Sequence, residues 1–421
     1  MELGNVIDLH AALRQRGQLK SNKTFLCFGT DWDGHPSSMT HLFKIIAQEY
    51  PVIWVNSIGQ RGPKLRLKDG KRVWQKLVRG LKGRSQASAA AGFARPKQII
   101  EPRVLPYHQF ANVRRFNTRM LEQQIAPALA QHLRPNSDLI FAACNPAAAE
   151  LAGRFGARLS VYYCMDEYAA MADSDPAIID TCEPLMLAGV DMTFATSAHL
   201  CATKRHPKYD TMHLPQGVDF DHFQKVGPCP PELKTLPRPI IGFQGIVGER
   251  VDLRLLDKVA RRFPRCSIVL LGRREADISG LKRFPNVHYF EPVPYAVLPR
   301  WLAQFDIGLI AYKDDGHTQA VNPLKLLEYL AVGAAVVSTE LPELARHKAF
   351  VHTAADHEGY IEALGRLVAR YPFSQEERAR RMQYAQGESW RKRAEKFLAT
   401  CDSLLARRHL GPHPDTTVAG P

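Results

Sequence analysis

Twice along this 421-residue chain, short apolar runs alternate with helix-length stretches, and that rhythm admits few folds. Residues 24–29, 52–56, 138–143, 159–165, 192–197 and 211–215 read as a first series of strands. Residues 240–244, 267–272, 287–290, 307–312 and 335–339 read as a second. Helical patterns fill the intervals, among them 39–48, 251–263, 297–305 and 323–332. Strand–helix alternation argues parallel sheets covered by helices on both faces. Between the two series lie Gly227-Pro228-Cys229-Pro230-Pro231 and Pro237, which continue neither helix nor sheet. The expected fold class is therefore α/β, with two Rossmann-like doubly wound domains facing across a cleft. Residues 1–222 make the first domain, 223–238 a linker and 239–372 the second. Residues 373–408 read as C-terminal helices, and 409–421, rich in Pro, Gly and Thr, as a disordered tail.

Composition removes several classes. Hydrophobic residues at 45% and charged residues at 23% exclude a disordered chain, a collagen and a coiled coil. No uncharged apolar run approaches the roughly 18–20 residues of a membrane span. The opening residues, with Glu2 and Asp8 and no apolar core, do not read as a secretory signal, so a cytoplasmic location is expected. The eight cysteines include no C-x2-C pair, and neither a disulfide framework nor a zinc site is expected.

The formal charge of +14 is concentrated. Residues 61–84 carry ten Lys and Arg against Asp69 alone, with Val73, Trp74, Leu77, Val78 and Leu81 at helical spacing between them. A basic helix with an apolar, Trp-bearing face fits an anionic membrane surface, each basic residue contributing about 1 kcal/mol. A solvated helix packing on its own domain fits the same pattern. No recognised nucleic-acid motif accompanies the charge, so nucleic acid is not expected as a partner.

The most informative segment runs from Thr318 to Gly333, TQAVNPLKLLEYLAVG. Asn322 suits a helix N-cap, Pro323 the first helical position and Gly333 the stop. Lys325 and Glu328, three apart, share one helix face. A helix start attracts an anion, Lys325 adds a full charge there, and Glu328 can accept hydrogen bonds from a diol such as ribose. A nucleoside diphosphate fits this arrangement. A surface ion pair on an ordinary capped helix fits it too.

This segment, followed by AVVSTELPE at 335–343, resembles the nucleotide-sugar motif of GT-B glycosyltransferases, of the bacterial group-one type found in polysaccharide and teichuronic-acid synthesis. Further matches are VYYCMDEY at 161–168, LPQGVD at 214–219, IGFQGIVGERVD at 241–252, and the run from Asn286-Val287-His288 to Leu309. Together they span about 24–345 in the family's order. The resemblance implies a hexosyl transfer from a nucleoside diphosphate sugar, UDP-linked, to a polysaccharide or lipid-linked acceptor at the inner membrane face. Lys325 would meet the diphosphate, Glu328 the ribose, Arg250 a phosphate and the backbone near Val293 the base. Thr318, Asn322, Pro323 and Gly245 complete the implied donor set, and the C-terminal helices would cross back to the first domain. A sugar-nucleotide epimerase of the same fold, and a non-catalytic membrane- or nucleic-acid-binding protein, remain as alternatives.

One departure is plain. Retaining members carry two glutamates eight apart, and eight before Glu328 stands Ala320. An inverting transfer needs a base for the acceptor hydroxyl. Asp166, just past the 159–165 strand where open sheets place ligands, is the candidate; a helix N-cap is its other reading. In the loop after the first strand, Asp33, Gly34 and His35 are candidate acceptor contacts, although a lone loop histidine is also simply solvated. Asp31-Trp32-Asp33 and Asp173-Ser174-Asp175 look like metal clamps of another transferase fold. With Lys325, Arg250 and helix amides available for the phosphates, no metal and no resident cofactor are expected.

Overall fold

The computed structural model describes residues 22–34, 36–59, 94–171, 174–206, 209–313 and 321–409. The basic stretch 61–84, His35, Asp173, Thr318, Ala320 and the tail from 410 lie outside the described residues. The chain divides into two compact units.

The first unit holds seven parallel strands: β1 (Lys23–Phe28), β2 (Val52–Val55), β3 (Gln98–Ile100), β4 (Asp138–Ala143), β5 (Leu159–Cys164), β6 (Met192–Ala195) and β7 (Met212–His213). Their order is β3-β2-β1-β4-β5-β6-β7, so the winding reverses between β1 and β4. Strands β1, β2 and β5 are buried at every position, as a parallel sheet covered on both faces requires. Side chains start the flanking helices: Ser37 accepts from the Thr40 amide before Ser38–Ile46, and Asp175 from the Ala177 amide before Pro176–Gly189. The 22-residue helix Ala111–His132 lacks the clean apolar stripe that would have marked it in sequence.

The second unit holds β8 (Ile240–Gln244), β9 (Ser267–Leu271), β10 (Val287–Phe290), β11 (Ile307–Ile310), β12 (Ala335–Thr339) and β13 (His352–Ala354), all parallel. Their order is β10-β9-β8-β11-β12-β13, with the reversal between β8 and β11. The architecture is the α/β, doubly wound arrangement expected.

The borders differ from the sequence expectation. The first unit runs to Thr196, resumes over Leu200–Leu214 and takes up the chain again at Ala394, whereas the second holds Ser197–His199 and Pro215–Arg393. The proline cluster at 223–238 is thus part of the second unit. Its prolines frame a short helix, Pro231–Lys234, whose Leu233 joins Phe223 in a core with Trp301 and Leu330. Helix Gln375–Gly387 also stays with the second unit. Its Arg378 and Arg381 donate to the carbonyls of Val332 and Gly333, at 3.3 and 3.1 Å, satisfying the negative end of helix Leu324–Ala331. The return to the first unit happens inside helix Trp390–His409. From Ala394 onward this helix contributes Phe397, whose ring meets Phe194, Phe43 and Phe25 at 5.0, 5.8 and 6.4 Å. A buried Lys23–Asp402 ion pair joins the same helix to β1.

Candidate functional site

In a doubly wound sheet, ligands bind beyond the carboxyl ends of the strands where the winding reverses. In the second unit that point lies past Gln244 on β8 and Ile310 on β11. Helix Leu324–Ala331, between β11 and β12, is fastened there by Tyr329. Its ring lies where a side chain on Gly308 would be, and its hydroxyl accepts from the Gln244 amide at 2.8 Å. Lys325, one turn earlier, is thereby placed at the strand ends.

Lys325 is 9% exposed. Its ammonium sits 4.2 Å from the Phe243 ring centroid and 4.8 Å from that of Tyr312, and these aromatic faces attract it without cancelling its charge. Lys325 and Glu328 do not form an ion pair. Gly245 makes room for the ammonium: a Cβ there would stand 2.9 Å from Lys325 Nζ, and its φ of +127° is one that side chains resist. Gly245→Ala is expected to displace Lys325 and cost at least about 1–3 kcal/mol of strain at that turn; a crystal structure of the variant checks the displacement, and its melting temperature the strain.

Glu328 keeps some exposure although protein encloses it on most sides. Burial lifts its carboxyl from the ordinary 4.5 to about 7, with the Lys325 charge acting in the opposite direction. Tyr295 lies close to it and stacks on His222 at 4.4 Å; burial, then the charges of Asp219 and Glu328, push the Tyr295 hydroxyl upward. Val293, in the loop before Tyr295, packs on the same core.

The helix begins one residue later than the sequence suggests. Pro323 occupies the N-cap position with no side-chain cap bond, and Asn322 precedes it. Pro323 accordingly takes an extended backbone, ψ 106°, rather than the first helical turn. Gly333, at φ +80°, does end the helix. Arg250 sits in the turn after β8 with its side chain exposed; its carbonyl accepts from the Lys313 amide at 2.9 Å, and the next residue, Val251, pairs with Tyr312. The backbone around Arg250 is thus tied to the residue that holds Lys325. Arg250, Gly245, Lys325, Glu328, Asn322, Pro323 and Val293 all belong to the second unit.

The other candidates belong to the first unit. Asp166 lies just past β5, where its Oδ1 accepts from the amide of the next residue, Glu167, at 2.9 Å; the N-cap of the turn that follows is Glu167, not Asp166. Beneath it runs a buried network that the sequence did not reveal. Lys204 donates to Glu167 at 2.6 Å and Glu183 at 2.8 Å, and Tyr162 donates to Glu183 at 2.8 Å. Arg95 Nη2 donates to both oxygens of exposed Asp33 at 2.9 Å, so that carboxylate already has a partner. Gly34 is exposed, its amide donating to the Asp31 carbonyl at 3.0 Å. Among the described residues no group of three His, Cys, Asp or Glu side chains is placed to hold a metal ion.

The second unit is also where a known family matches. Residues 239–370 fit the model described as Glycosyl transferases group 1. These residues are a group 1 glycosyltransferase domain, and the fold is GT-B. TuaH of Bacillus subtilis (strain 168), a candidate teichuronic acid biosynthesis glycosyltransferase, is 32% identical over 136 residues. That match takes in 31% of this chain and 34% of TuaH, so the chain spans about a third of that relative. Among solved structures, sucrose-phosphate synthase from Thermosynechococcus elongatus is 12% identical with a TM-score of 0.65, covering 92% of this chain and all of that one. Anabaena HepE in complex with UDP and glucose is 12% identical with a TM-score of 0.60, covering 90% and 99%. The matched residues 239–370 include Gly245, Arg250, Val293, Asn322, Pro323, Lys325 and Glu328.

Phe243, Tyr312 and Tyr295 were not singled out from sequence. The available signal was aromatic residues ending or just following predicted strands, a position that apolar patterning assigns to core. Tyr329 was given no role from sequence either, although its hydroxyl fixes the helix carrying Lys325.

Proposed function

We propose that the protein transfers a sugar from a UDP-linked nucleoside diphosphate sugar to a polysaccharide or lipid-linked acceptor, working in the cytoplasm and attached peripherally at the inner membrane face. The observation that carries this reading is the Lys325 ammonium, buried without a carboxylate partner among the described residues, at the point of the second sheet where winding reverses. A carboxyl one turn behind it completes a diphosphate-and-diol receptor. The UDP and glucose bound by the Anabaena neighbour support the choice of nucleotide.

In the proposed reaction the acceptor hydroxyl oxygen attacks the anomeric carbon. The bond from that carbon to the diphosphate oxygen breaks, and the diphosphate leaves with the electron pair. Lys325, Arg250, Thr318 and the amides beyond Asn322, Pro323 and Gly245 stabilise the charge that gathers there. Glu328 takes the ribose hydroxyls, and the backbone at Val293 faces the base. Asp166 accepts the proton of the acceptor hydroxyl, giving inversion. Gly34, His35 and Asp33 contact the acceptor, Asp33 exchanging its Arg95 partner. With these cations meeting the diphosphate, the proposal includes neither a metal nor a resident cofactor. The basic stretch 61–84 is proposed to hold the enzyme on anionic lipid.

The test is a melting-temperature series with nucleosides, nucleoside diphosphates and sugar nucleotides. Stabilisation by the diphosphates beyond that by the nucleosides is expected, and its absence removes the reading. For the base, Asp166→Asn should lower turnover by about 100-fold or more while nucleotide binding is kept; undiminished turnover rejects Asp166.

A further inference from the structure

Eight large apolar side chains are exposed among the described residues, and four of them fall within twelve positions of the first unit. Leu105, Tyr107, Phe110 and Phe116 are 42–57% exposed. Their exposure does not come from a slack loop. Buried Asn117 grips Leu105 from both sides, accepting from its amide and donating to its carbonyl at 2.8 Å each. Arg114 donates to the carbonyls of His108 and Gln109 at 3.0 Å each. Tyr107 is held at φ +72°, a conformation that a bulky residue adopts only under constraint. The backbone is thus pinned so that the apolar side chains point out.

The surround is cationic. Arg103, Arg115 and Arg119 are exposed, and among the described residues their guanidinium groups make no ion pair or hydrogen bond. Residues 102–121 contain no Asp or Glu. This composition disfavours a second copy of the chain as the occupant, because a two-fold contact would set arginines against arginines. Fixed apolar rings among unpaired arginines match an anionic bilayer, where the rings enter the acyl boundary and the guanidinium groups meet lipid phosphates. Asn56, from which the chain departs towards the basic stretch, donates to Glu101 at 2.5 Å, just before this surface begins.

We infer that residues 105–119 dock the first unit on an anionic lipid bilayer, Phe110 and Phe116 inserting while Arg115 and Arg119 pair with headgroup phosphates. This rests on the membrane reading above but places the apolar anchor outside the 61–84 stretch. The test is flotation of the full chain with vesicles of phosphatidylcholine plus phosphatidylglycerol, and with phosphatidylcholine alone. Wild type should float with the anionic vesicles. Phe110→Ser with Phe116→Ser, and separately Arg115→Glu with Arg119→Glu, should each reduce binding by about tenfold or more at unchanged melting temperature. If those variants float like wild type while Lys76→Glu with Arg79→Glu does not, the membrane reading stands and this inference falls. If wild type never floats, both fall. A wild-type dimer that Phe116→Ser converts to monomer identifies a second copy as the occupant and overturns the lipid assignment.

Discussion

Lys325→Ala will weaken binding of a nucleoside diphosphate by roughly 10- to 100-fold and leave binding of the nucleoside nearly unchanged. A hydrogen bond to a charged group contributes about 1.5–3 kcal/mol, and each 1.4 kcal/mol is a factor of ten. The upper half of that range is expected, because Lys325 is enclosed and, among the described residues, faces aromatic rings rather than a carboxylate that would share its charge. Calorimetric titration of wild type and variant with UDP and with uridine measures both quantities. Equal losses for the two ligands point to a collapsed pocket; no loss for UDP removes Lys325 from the donor site.

Glu328→Gln will move stability and binding in opposite directions. In the folded chain burial holds the Glu328 carboxyl at about 7, against an ordinary 4.5. Folding therefore binds a proton more tightly than the unfolded chain does. Below 4.5 both states are protonated and ionisation carries no cost; the cost grows as pH rises through the interval and is complete above about 7. The full shift corresponds to roughly 3 kcal/mol, which partial solvent access reduces to about 1–2 kcal/mol. The neutral amide avoids that cost, so Glu328→Gln should raise the melting temperature by a few degrees at pH 8 and hardly at all at pH 4.5. Nucleotide affinity should fall, because the amide loses one of the strong acceptors that a diol needs. In wild type, nucleotide affinity should rise with pH through 7 as the carboxylate forms. Melting curves and UDP titrations across this range decide both points; a variant with the same pH profile as wild type sinks the assignment.

Much of the fold was legible because parallel strands buried on both faces leave unbroken apolar runs, as in FLCF at 25–28 and AVV at 335–337. Strands β3 and β13 were missed since three residues make no pattern, and β7 proved shorter than its apolar run. The border at 214–215 was hidden for another reason. Prolines 230 and 231 read as breakers, whereas in the structure they start a helix that packs into the second core. Within the candidate site, Lys325 and Glu328 were legible from spacing on one helix. What surrounds the ammonium was not: Phe243 lies in β8 and Tyr312 just past the end of β11, and the adjacency of these two strands at the reversal of winding brings both to Lys325.

The aromatic cluster of Phe25, Phe43 and Phe194 is completed by Phe397, a residue made more than two hundred positions after the last of them. On the ribosome, the lobe synthesised first must therefore wait with an oily face uncovered until nearly the whole polypeptide has emerged. The lobe made second can close its own core before that face is sealed.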